Sequence, residues 1–135
     1  MGMYTELIFG ASLKSNTPTD VINAISYMIG EPTDKPSNYP FDDNDMDVLL
    51  SSSYYFGVSL PVRKFWYDTI TESWCLSTRS NVKNYSNEIE RFLEWIKPYI
   101  ESGSGNREMY AIVIYEDAET PTIYYLHDKP LDAEY

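Results

Sequence analysis

The heptapeptide FDDNDMD, residues 41–47, places Asp42, Asp43, Asp45 and Asp47 side by side. Such carboxylates can cage a cation, imitate the phosphates of a nucleic acid, or keep a loop in water. A calcium loop reads D-x-[DN]-x-[DN]-G with a bidentate glutamate at its twelfth position. Asp43, Asp45 and Asp47 fit the first part, but Val48 replaces the turn glycine and Tyr54 the glutamate. We therefore expect no metal site. A second acidic run, YEDAETP, adds Glu116, Asp117 and Glu119. Carboxylates spaced along a rigid surface suit the basic groove of a nucleic-acid-binding protein and speed the encounter with it. Solubility alone would also account for either patch.

Other chemistries find less support. A Cys–His pair would have to use Cys75 and His127, the only residues of their types. Cys75 falls in an apolar hairpin strand and reads as a small buried thiol, and His127 reads as a solvated residue past the last strand. Neither a G-x-S-x-G elbow nor a Walker or G-x-G-x-x-G loop occurs. The expectation is a protein that is not an enzyme and needs no cofactor. A different class of binding would use Arg79, Asn81 and Lys83 ahead of the second helix, whose N-terminal N–H groups attract anions. Trp66, Trp74 and Tyr85 would supply a stacking surface there for a phosphate-containing ligand such as a signalling nucleotide. Ser80, Asn81 and Asn84 of this segment would equally serve as a cap and turn for the helix.

Charge sets the partners. Twenty-one acidic and 10 basic side chains give a net charge of −11, which repels nucleic acid and anionic membranes. Residues 1–62 carry −6 and residues 86–135 carry −7, whereas Arg63, Lys64, Arg79 and Lys83 leave residues 63–85 at +2. These bases either meet a ligand or neutralise acids across a sheet. Thirteen tyrosines and three tryptophans favour a binding surface, because such rings combine apolar area with a polar tip. No apolar run reaches the roughly 18 residues of a membrane span. The N-terminus lacks a secretory pattern, and Glu6 stands where a myristoylation signal wants Ser or Thr. A cytoplasmic location is expected, with one cysteine excluding an internal disulfide.

The elements that must carry these groups fit a single domain over 1–135, a length that buries roughly two-thirds of its unfolded surface. MYTELIFGASL reads as a strand. NTPTDVINAISYMIGEP reads as a helix, with Thr17 as cap, Pro18 at the first helical position and Gly30–Pro32 as its stop. A proline-rich loop with the aspartates follows, then a strand in VLLSSSYYFGVSL and a hairpin in RKFWYDTITESWCLSTR turning near Thr71–Glu72. SNEIERFLEWIKPYIES reads as the second helix, buried through Ile89, Phe92, Leu93, Ile96 and Ile100 and broken near Pro98. MYAIVIYED, nearly continuous in apolar residues, reads as a central strand, and TIYYLH as the last. The order β-α-β-β-β-α-β-β predicts an α+β domain with two helices on one face of a largely antiparallel sheet.

RSNVKNYSNEIERFLEWIKPYI and YEDAETPTIYY, with an echo in MYTELIFGASLK, resemble short uncharacterised proteins of phages and bacterial genomes. The resemblance implies a phage-like origin and no particular activity. With the charge, it points to an acidic protein that binds and inhibits a macromolecular partner, as a phage-type counter-defence inhibitor or nucleic-acid mimic would. The expected partner is a protein, such as a nucleic-acid-binding host enzyme or complex, with no direct contact to nucleic acid or membrane.

Overall fold

The computed structural model describes residues 4–30, 35–37, 39–41, 62–84, 87–103 and 108–127. Two helices pack on an antiparallel sheet, an α+β architecture. The elements are β1 (Thr5–Ser12), α1 (Thr19–Met28), β2 (Val62–Asp68), β3 (Ser73–Val82), α2 (Glu88–Ile96), a 3-10 turn (Lys97–Tyr99), β4 (Met109–Tyr115) and β5 (Thr122–Tyr125). Their order in the sheet is β2-β3-β1-β4-β5. The strand expected at residues 48–60 and the loop carrying Asp42, Asp43, Asp45 and Asp47 lie outside the described residues.

Alternation along β1 assigns the two faces of the sheet. Leu7 and Phe9 point at the helices and are buried with their ladder partners Val113 and Ala111 of β4, and Leu76, opposite Ala11, is buried on the same face. Phe9 meets Phe92 of α2 edge to face, with ring centroids 5.4 Å apart. All five residues of the expected α2 stripe are buried. Pro98 ends the α-helix at Ile96 by denying the next backbone donor, and the chain tightens into the 3-10 turn. Among the described residues, no helix is long and apolar enough to cross a membrane.

Two local expectations are corrected. Thr17 does not cap α1: its hydroxyl donates to the Lys14 carbonyl at 2.6 Å, and extended Pro18 becomes the cap residue, accepting from Val21 and Ile22 N–H. Cys75 is half-buried rather than enclosed in the core. It pairs with Ser12 across the ladder, on the face away from the helices, and its Sγ lies 3.5 Å from the Ser12 hydroxyl. β4 lies inside the sheet between β1 and β5, paired on both sides, as its nearly continuous apolar run predicts. Burial on one face and a flanking strand on either edge suffice for its apolar run.

Tyr110 and Tyr124 close the core beside β5, with centroids 6.2 Å apart. Burial raises the pKa of both phenols above the ordinary value. For Tyr110 the neighbouring Tyr124 adds to this, and for Tyr124 the Glu90 carboxylate does. Their stabilising effect is present in full below the ordinary value of about 10 and is lost as pH rises through the folded-state values. Urea midpoints at pH 9 and pH 11 should therefore fall less in a Tyr110→Phe/Tyr124→Phe variant than in the parent. An equal fall in both would show that neither phenol contributes.

Candidate functional site

The predicted acidic run forms the turn between β4 and β5. Glu116, Asp117 and Glu119 are all exposed, and the turn is tied to the start of β1. Glu116 N–H donates to the Tyr4 carbonyl at 3.0 Å, and a Glu116 carboxylate oxygen accepts from Tyr4 N–H at 3.1 Å. The Ala118 N–H closes the turn on the Tyr115 carbonyl. Tyr115 itself remains 45% exposed.

More acids gather at this end of the sheet. The chain leaves β3 through Asn84 in the left-handed region, which asparagine tolerates. Its side-chain oxygen accepts from Ile89 N–H in the first turn of α2, and its amide donates to Glu90, both at 2.9 Å. Glu88 and Glu90 thus sit beside the β3 terminus, favourably placed at a helix N-terminus. A cleft of about 230 Å³ between Asn84, Glu90, Tyr115 and Thr120 links this turn to the acidic one. Glu88 and Glu90 are polar positions of an amphipathic helix, which ordinarily face water. Both are half-buried, because Asn84 and the end of the sheet lie against that turn.

The residues of the phosphate-ligand reading do not converge. Arg79 and Asn81 lie on the face away from the helices, opposite Ile8 and Glu6 of β1. Arg79 Nε donates to Glu6 at 2.9 Å, and the Glu6 side chain is fully buried. Trp66 shares that face beside Cys75. Cys75 stands four residues along β3 from Arg79, roughly 13 Å at the rise of a strand. Trp74 points to the helix side, where it stacks on Phe65 at 4.7 Å. Lys83 lies over the Tyr4 ring and Lys64 over Trp66, at 5.9 and 4.9 Å from the centroids. Tyr85 lies outside the described residues. The first turn of α2, expected to receive the anion, already has its Ile89 N–H satisfied by Asn84 and carries two acids.

Asn81 is 2% exposed, and neither polar atom of its amide has a hydrogen-bond partner among the described residues. Each unsatisfied group costs about 1–3 kcal/mol. Near the opposite end of the sheet, the Ser102 hydroxyl donates to Glu108 at 2.9 Å and lies 3.5 Å from His127 Nε2. Among the described residues, no three His, Cys, Asp or Glu side chains are grouped to hold a metal ion.

Comparisons with protein-family models, curated proteins and solved structures returned no match. The reading of function therefore rests on charge and geometry.

Proposed function

We propose that the protein is an acidic, non-enzymatic inhibitor that binds a macromolecular partner. The partner's chemistry is that of a basic nucleic-acid-binding host enzyme or complex. The protein would act as a nucleic-acid mimic of the counter-defence type, from within the cytoplasm. The observation that carries this reading is the fastened β4–β5 turn, which presents Glu116, Asp117 and Glu119 to solvent next to the acidic first turn of α2. A turn held by two backbone ties loses little freedom on binding, so its carboxylates meet a basic groove already arranged. The exposed Tyr115 ring adds apolar contact at the rim of the patch. The phosphate-ligand reading draws less support, since Arg79 is committed to Glu6 and the helix terminus is acidic.

The test compares the parent with a Glu116→Gln/Asp117→Asn/Glu119→Gln variant. Glutamine at 116 keeps the oxygen that accepts from Tyr4 N–H, so the turn should survive. The parent, immobilised and exposed to nuclease-treated bacterial lysate, should retain a basic nucleic-acid-binding protein. The variant should associate with that protein roughly tenfold more slowly at 50 mM salt, with the gap closing as salt rises. Equal association rates would remove the acidic turn from the interface.

A further inference from the structure

The ladder between β1 and β4 ends at Phe9↔Ala111, beside a register shift at Met109–Ala111 in the β4–β5 ladder. Beyond this point a different segment takes up β1: Glu101 N–H donates to the Ser12 carbonyl at 2.8 Å, and Leu13 bridges Ile100. Between the two pairings, Gly10 and Ala11 have no strand partner on that side among the described residues. The sheet is forked here, and the fork holds a cleft of about 530 Å³, within the size range of small-molecule sites.

Its lining has a definite chemistry. Leu13, Ile100 and Tyr110, each no more than 5% exposed, give an apolar base. Among the described residues, Glu72, Glu101 and Glu108 are the charged residues of the lining. Glu108 is fixed by the Ser102 hydroxyl and the Gly103 N–H, one on each oxygen. Carboxylates around a low-dielectric concavity focus a negative potential into it. They are not grouped to converge on one metal ion. The fitting occupant is therefore larger than an ion, with an apolar stem and a cationic head.

We propose that this fork is a binding site for an organic cation, an alkyl guanidinium or ammonium group, whose stem lies on Leu13 and Tyr110 while its charge meets Glu72, Glu101 and Glu108. The site lies at the end of β1 away from the acidic turn, so it stands or falls independently of the inhibitor reading. The cation can arrive as a free amine or as an arginine side chain of a polypeptide, and the two sources are separable.

Amide-resolved NMR titrations with acetyl-Gly-Arg-Gly-amide, its citrulline counterpart and agmatine test the site. The arginine peptide should move the signals of Gly10, Ser12, Gly103 and Met109, and the uncharged citrulline peptide should bind at least tenfold more weakly. Glu72→Gln/Glu101→Gln should lower arginine-peptide affinity at least tenfold. Gly10→Arg should block the site with the fold intact, since a Cβ built at Gly10 meets nothing within 4 Å. Agmatine binding as tightly as the peptide assigns the site to free amines, and tighter binding of the peptide assigns it to a side chain. The proposal is overturned by equal affinity for the arginine and citrulline peptides, by no shifts at millimolar ligand, or by full affinity in the glutamine variant.

Discussion

Arg79→Met should lower the free energy of unfolding by about 3 kcal/mol, the low end of the range for breaking a buried ion pair. Glu6 is fully buried on the central strand, and the Arg79 guanidinium, itself 28% exposed, meets it at 2.9 Å. Removing the arginine takes this ion-pair partner from a carboxylate that water does not reach. A Glu6→Leu/Arg79→Met double variant removes both charges and should recover most of the loss, because an apolar pair of similar volume costs little where an ion pair stood. Urea denaturation of the three proteins checks this. A single variant as stable as the parent would mean that the pair is not what holds β1 to β3 at this point. The outcome also bears on function. An arginine that the fold requires for this purpose is a poor candidate for gripping a phosphate ligand.

Phe92→Ala should cost about 4 kcal/mol, a large share of the 5–15 kcal/mol that stabilises most domains of this size. Phe92 is fully buried, and its ring joins α2 to the sheet through Phe9 and touches Trp95 at a centroid distance of 6.2 Å. Truncation opens a cavity where the helix layer meets β1, and the rigid sheet can close it only in part. Phe92→Leu should cost about 1–2 kcal/mol, since most of the volume is kept. Denaturant midpoints with unchanged slopes would confirm that stability alone has moved. A cost below 1 kcal/mol for the alanine variant would place the core elsewhere.

What the sequence made legible were features written in neighbouring residues. The α2 stripe follows the helical period, Pro98 marks its end, and the β4–β5 turn declares its acids within four positions. Features that arise between distant residues were not legible. Glu6 lies on the face away from the helices, and its carboxylate meets Arg79, 73 positions away in the sequence. Trp66 and Trp74 read as one aromatic surface, yet the β2–β3 register sends them to opposite faces. The forked cleft was missed altogether. Its three glutamates come from the hairpin turn, the end of the second helix region and the start of β4, and no local pattern in the sequence links them.

The inhibitor reading holds that the protein competes with nucleic acid without touching it. A gel-shift titration at physiological salt with random duplex DNA tests this most directly, first with the protein alone and then with the retained basic partner present. The protein alone should leave the DNA unshifted at tens of micromolar, because a chain of charge −11 has too few clustered bases to release condensed counterions. Added to the partner–DNA complex, it should return the DNA to its free mobility, and the Glu116→Gln/Asp117→Asn/Glu119→Gln variant should need a higher concentration to do so. Micromolar binding to DNA by the protein alone, or a partner–DNA complex that survives excess protein, would contradict the proposed function.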